Sequence, residues 1–100
     1  QVLADLGSDL HVDRDADLHM DMNYYAPGYE QPNEKASEAI KMLARLEGLF
    51  VDPVYTGKAL AGLIDHIRTG KVEQGSNVVF WHTGGATALF AEQQMLGNIF

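Results

Sequence analysis

Two short segments of this 100-residue chain collect the residue types that chemistry needs. The first is Asp52-Pro53-Val54-Tyr55-Thr56-Gly57-Lys58, with a carboxylate, a phenol, a hydroxyl and an amine in seven residues. A tyrosine in such a place can act as acid or base, and a threonine can hydrogen-bond a ring nitrogen. The same residues also read as plain structure: Asp52 forms a turn, Tyr55 edges a core and Thr56 caps a helix. On residue types alone the structural reading is the stronger. The second segment is His82-Thr83-Gly84-Gly85, between an apolar run and a helical pattern. Glycines let a backbone approach a ligand closely, and a helix start offers free N–H groups. A tight strand-to-helix turn at positive φ explains the pair of glycines equally well.

Neither segment matches a common catalytic signature. No Gly-X-Gly-X-X-Gly occurs, so this is not a dinucleotide fingerprint. Gly57-Lys58 lacks the earlier glycine and the following Ser or Thr of a phosphate-binding loop. There is no Gly-X-Ser-X-Gly elbow for a serine nucleophile. The absence of cysteine excludes thiol catalysis, disulfides and Cys-based zinc sites. His11 and His19 lie among acidic residues, but their spacing fits no ligand motif, and a solvated acidic face is expected there. His66 sits beside Ile67 and Arg68 on a helical pattern and reads as a surface or packed histidine.

The elements that must position these segments alternate. Residues 1–8 read as a helix end, with Val2, Leu3 and Leu6 on one face and Gly7-Ser8 as the stop. From Asp9 to Met22 acidic or His residues occupy odd positions and mostly apolar ones even positions, which is period two. That pattern predicts a loop around 13–17 and a strand near 18–25. Asn33 is a good helix N-cap, Glu34 suits the positive helix end, and Gly48 stands where a C′ glycine belongs. Ala36, Ile40, Leu43, Ala44 and Glu47 share a stripe between them, with Leu46 beside it. Leu49-Phe50-Val51 is a short strand or a buried connection. Thr56 opens a second helix with Leu60, Leu63, Ile64 and Ile67 as its apolar stripe, closed by Gly70. A turn at 74–76 leads to Val78-Val79-Phe80-Trp81, a run typical of a strand buried on both faces. Residues 86–95 read as a last helix. Helix and strand in alternation predict an α/β fold with a mainly parallel sheet, in which ligands bind beyond the carboxyl ends of strands. Both chemical segments fall there.

Composition narrows the partners. The chain is 46% hydrophobic and 21% charged, as globular proteins are. Its net charge of −7 argues against a nucleic-acid or anionic-membrane surface. No apolar run nears the ~20 residues of a membrane span. Residues 1–30 carry seven acidic residues against Arg14 alone, whereas 31–100 are nearly balanced. The chain begins at Gln1 without a signal-like segment, which suggests a soluble cytoplasmic protein and a fragment or processed product.

The two segments in their context carry a resemblance. "LEGLFVDPVYTGKALAGLIDHIRTGKV" and "VVFWHTGGATALF" resemble the C-terminal part of the D-cysteine desulfhydrase and 1-aminocyclopropane-1-carboxylate deaminase family, pyridoxal-phosphate enzymes of fold type II. "YYAPGYEQPNEKASEAI" resembles the preceding family segment. The likeness spans about residues 20–91, with 1–17 as an acidic lead-in and 18–100 as a family-like core.

That resemblance implies a lyase that eliminates sulfide from D-cysteine, leaving pyruvate and ammonia, with pyridoxal phosphate as cofactor. Tyr29 and Tyr55 match two active-site tyrosines. Thr56 matches the position facing the ring nitrogen, where the deaminase has Glu. Thr83 and Gly84 match the loop on the other side of the ring, and either threonine could make the bond to the nitrogen. A hydroxyl makes a weaker electron sink than a carboxylate-held pyridinium, which suits a good leaving group better than cyclopropane opening. The family's Schiff-base lysine and phosphate loop lie in the N-terminal part of a chain about three times this length. Lys58 matches another position, so this segment supplies one wall of the site and needs that N-terminal part as partner. A homodimer is the family's usual assembly. L-cysteate sulfo-lyase and deaminase activities are the rival enzymatic readings. The acidic lead-in offers no cation for a sulfonate, which leans toward cysteine. A non-catalytic scaffold is the rival of another class, opposed by two phenols and paired glycines kept together at strand ends.

Overall fold

Asn33 starts the best-built helix of the chain. Its side-chain oxygen accepts a hydrogen bond from the Ala36 N–H at 3.0 Å, and its amide nitrogen donates to the carbonyls of Tyr24 and Ala26 at 3.1 and 2.7 Å. One asparagine thus caps a helix and ties the preceding segment to it. Gly48 ends the helix at φ 66°, its N–H bonded to the Ala44 carbonyl. The computed structural model describes residues 1–26, 28 and 33–91 of the chain. Among them are α1 (Val2–Asp5), α2 (Arg14–Asp17), α3 (Glu34–Glu47), α4 (Thr56–Arg68) and α5 (Ala86–Ala91).

The helices α3 and α4 pack on each other and hold the core. Ala39 and Ile40 of α3 meet Leu60 and Ala61 of α4, Val51 of the connection and Leu89 of α5, with Leu43, Leu63, Ile64 and Phe80 packed around them. Burying a side chain the size of Ile40 stabilises by about 1.5–3 kcal/mol. Gly57 permits the close approach: a Cβ there would run into the Asp52 carbonyl and the Ile40 side chain. Leu46 and Ile67, at the margins of the expected stripes, stay exposed. The end of α4 is a Schellman motif, with Lys71 N–H bonded to the His66 carbonyl and Gly70 N–H to that of Ile67.

Several expectations need correction. No strand occurs among the described residues, so the mainly parallel sheet is not seen there. Val78–Trp81 forms no ladder, and Val79 and Trp81 are 87% and 81% exposed, with Phe80 alone turned onto the core. A strand is completed by a ladder to a neighbour ~4.8 Å away, and 78–81 forms none with the described residues. The period-two stretch 18–25 has no partner either, and Leu18, Met20 and Met22 are exposed. Residues 14–17 are not loop but a single helical turn, because the Asp13 carboxylate accepts from the Asp15 and Ala16 N–H groups. Leu49–Val51 is a connection in which Val51 is buried and its two predecessors are exposed. α1 forms as expected, but none of its residues is buried. The last helix is described to Ala91, and 92–95 lie outside the described residues.

Candidate active site

Asp52 is fully buried, and everything about its loop follows from that carboxylate. One oxygen accepts from the Val54 and Tyr55 N–H groups, each at 2.7 Å. The other accepts from the Thr56 N–H at 2.9 Å and the Thr56 hydroxyl at 2.6 Å. The Thr56 hydroxyl in turn accepts from the Asp52 N–H at 2.9 Å. Burial alone would raise the Asp52 pKa. The Thr56 hydroxyl and the N–H groups of Thr56, Tyr55 and Val54 outweigh it and hold the carboxyl below its ordinary value. Asp52, not Thr56, therefore closes the N-terminus of α4. The sequence reading of Asp52 as a turn former was half of this; its burial and its grip on Tyr55 were the missing half.

The second segment lies against the first. His82 Nε2 is 2.7 Å from the Phe50 carbonyl oxygen, and the Gly84 N–H donates to His82 Nδ1 at 3.1 Å. Gly85 sits so close to Asp52 that a Cβ on it would lie 2.7 Å from the Asp52 carboxylate oxygen. Its φ of 86° also favours glycine. The turn explanation of the glycine pair holds, since both glycines have positive φ, and the close approach that Gly85 makes is to Asp52.

These loops border a cavity of about 530 Å³, within the range of small-ligand sites. Tyr25, Tyr55, Thr56, Lys58, Trp81 and Thr83 line it. Tyr55 is 59% exposed at its edge, carried on a backbone pinned by Asp52. Thr83 is exposed beside Trp81. Thr56 borders the same space, but its hydroxyl proton is donated to Asp52. Lys58 is buried, its ammonium donating to the Tyr25 and Gly28 carbonyls at 2.9 and 2.7 Å. It lines the cavity with its ammonium engaged by those two carbonyls. Tyr29 lies outside the described residues.

A polar network that the sequence did not reveal closes the other side. The Tyr24 hydroxyl donates to Asp65 at 2.5 Å, and Lys35 stands 3.7 Å from the same carboxylate oxygen. His66 Nε2 meets the Asp21 carboxylate at 2.7 Å, and its ring contacts Tyr24 edge-on. The bond to Asp65 chiefly pushes the Tyr24 pKa up to about 12. Tyr24 therefore holds its proton near neutral pH and serves as a strut. The Asp65 carboxyl is lowered, first by Tyr24, and that of Asp21 first by the Asn23 N–H and then by His66. His66 is thus packed, as one of its two readings had it. The partners in these pairs lie 41 and 45 residues apart, beyond any local signal.

Over residues 4–84 the sequence matches the family described as pyridoxal-phosphate dependent enzyme. The chain belongs to that family. It is 55% identical over 76 residues to the D-cysteine desulfhydrases of Salmonella typhi and of Salmonella newport (strain SL254). The match takes in 76% of this chain and 23% of each relative, so the chain spans about a quarter of the length of the curated relatives. Family membership makes the fold class α/β.

The wall fits the chemistry of a pyridoxal ring in part. Trp81, Tyr25 and Tyr55 offer aromatic surface, and Thr83 offers a hydroxyl. For the covalent link the fit fails here: Lys58, the cavity's one lysine among the described residues, has its ammonium committed to two carbonyls. Among the described residues no helix is long and apolar enough to cross a membrane.

Proposed function

We propose that the full-length protein is a pyridoxal-phosphate-dependent lyase that eliminates hydrogen sulfide from D-cysteine, with pyruvate and ammonia as the other products. The observation that carries the reading is the meeting of Tyr55 and Thr83 on one cavity, in a chain 55% identical to D-cysteine desulfhydrases. In this reading the chain is the C-terminal part of the cofactor domain and forms one wall of the site. Val78–Trp81 then completes a mainly parallel sheet of the type II fold with strands from the rest of the protein. The assembly is a cytoplasmic homodimer.

When bound, the cofactor supplies an electron sink for the charge left at Cα after proton loss. Thr83 and Gly84 would hold the ring, and Thr83 would supply a hydroxyl hydrogen bond to it, since the hydroxyl proton of Thr56 is held by Asp52. Thr56 would contribute to holding the ring through its place on the wall. Tyr55 sits where a phenol can give a proton to the departing sulfur or hold the substrate's carboxylate. Its backbone N–H, fixed by Asp52, limits how far that phenol can stray. Tyr29 is the second phenol of the same reading. The Cα–H and Cβ–S bonds break, sulfide leaves, and hydrolysis of the remaining enamine releases pyruvate and ammonia.

Substitution tests these roles directly. In the full-length protein Tyr55→Phe is expected to lower kcat for sulfide release by about 100-fold, with cofactor uptake and folding intact. Unchanged sulfide release would remove Tyr55 from the mechanism. Thr83→Val is expected to shift the visible band of the bound cofactor, while Thr56→Val acts on stability through Asp52.

A further inference from the structure

His82 makes two hydrogen bonds that no ring contact requires. Its ring spans from the Phe50 carbonyl, at 2.7 Å, to the Gly84 N–H, at 3.1 Å. An N–H can only donate, so Nδ1 is the acceptor and carries no proton. The proton is on Nε2, which donates to Phe50. The ring is thereby the neutral Nε2–H form, fixed by its two partners. The residue between the two arms is Thr83. On the carboxyl side Gly85 is backed against Asp52, and on the other side Phe50 precedes the buried pair Val51 and Asp52. The loop that carries Thr83 is therefore held at two places against one loop, and that second loop carries Tyr55.

We propose that His82 is a positioning residue: as the neutral Nε2–H form it clamps the 82–85 loop to the Phe50 carbonyl and so sets Thr83 relative to Tyr55. The inference rests on the reading of Thr83 as the hydroxyl beside the cofactor ring. The clamp itself rests on geometry alone. Losing it frees the loop by an ångström or so, and displacements of that size cost reactions up to ~100-fold when groups must be aligned. Substrate affinity depends on other contacts, so the loss falls on kcat more than on KM.

The experiment uses the full-length protein loaded with pyridoxal phosphate and three forms: wild type, His82→Ala and His82→Gln. Glutamine can place a side-chain N–H near the former Nε2 and keep the bond to Phe50. In His82→Ala, amide exchange at Gly84 is expected to speed up at least ~10-fold, the cofactor band to shift, and kcat with D-cysteine to fall ~10-fold or more at nearly constant KM. His82→Gln is expected to recover most of kcat. Nitrogen NMR of the wild-type ring should show Nε2 protonated and Nδ1 bare. A bare Nε2, or unchanged Gly84 exchange in His82→Ala, would overturn the clamp. Unchanged kcat and band in His82→Ala, or equal loss in both variants, would overturn the positioning role. If wild-type protein releases no sulfide from D-cysteine, the lyase reading fails instead, and the NMR and exchange results still decide the clamp.

Discussion

Asp13 and Asp52 use the same hydrogen-bond chemistry in opposite surroundings. Asp13 accepts from the N–H groups of Asp15 and Ala16 at 2.9 and 3.1 Å and opens the four-residue α2. Asp52 accepts from three N–H groups and a hydroxyl and opens α4, which is part of the core. The acidic lead-in, residues 1–17, has no buried residue, whereas Asp52 is wholly enclosed. Water can replace the Asp13 carboxylate for its exposed donors, whereas the Thr56 donors to Asp52 are buried. The same side chain is thus a local convenience in one place and the holder of a candidate catalytic loop in the other.

The contrast can be tested by removing each carboxylate. Asp52→Ala leaves buried donors without an acceptor and is expected to lower the stability of the full-length protein by about 3 kcal/mol, read by denaturant unfolding. A loss below about 1 kcal/mol would mean that solvent reaches the loop. Glycine substitution separates strain from contact. Gly7 and Gly85 have similar φ values, 80° and 86°, but nothing stands within 4 Å of a Cβ on Gly7. Gly85→Ala is therefore expected to destabilise by about 2 kcal/mol more than Gly7→Ala, the excess coming from the clash with Asp52. Equal losses would show that the loop can move aside.

Acid should reveal the same carboxylate. The Asp52 pKa in the folded protein lies below its ordinary 3.8, so its contribution is present above pH 4 or so and fades as pH falls through the folded-state value. Asp21 and Asp65 act in the same direction. Asp52→Asn is expected to flatten the acid limb of a stability-against-pH curve. The smallest effect belongs to Asp13→Ala, which should leave the denaturation midpoint of the full-length protein where it is.

What the sequence made legible follows the range of each interaction. The ends of α3 were readable because Asn33 and Gly48 act on neighbours within four residues. The joint between the two chemical segments was not, because the His82 contact to Phe50 crosses 32 residues. Their shared importance was visible only through family likeness. Val78–Trp81 has the composition of a buried strand, but composition cannot supply the neighbour that a ladder needs. The period-two stretch before Asn23 misled for the same reason. Asp52 looked like a turn former, and only packing could show that its turn would be sealed from water. Among the acidic residues from Asp13 to Asp21, Asp13 and Asp17 form local caps and Asp21 pairs with His66, which gives part of that segment a structural role.

The lyase reading stands or falls most directly on an absorbance spectrum of the full-length protein with pyridoxal phosphate, taken before and after D-cysteine is added. The expected result is a band near ~410–420 nm, the cofactor's own colour, that changes on addition while sulfide appears. A band that ignores D-cysteine and responds to L-cysteate would contradict the assignment and make the protein a sulfo-lyase. No band at all would contradict cofactor binding and leave the Asp52 and His82 loops as scaffold.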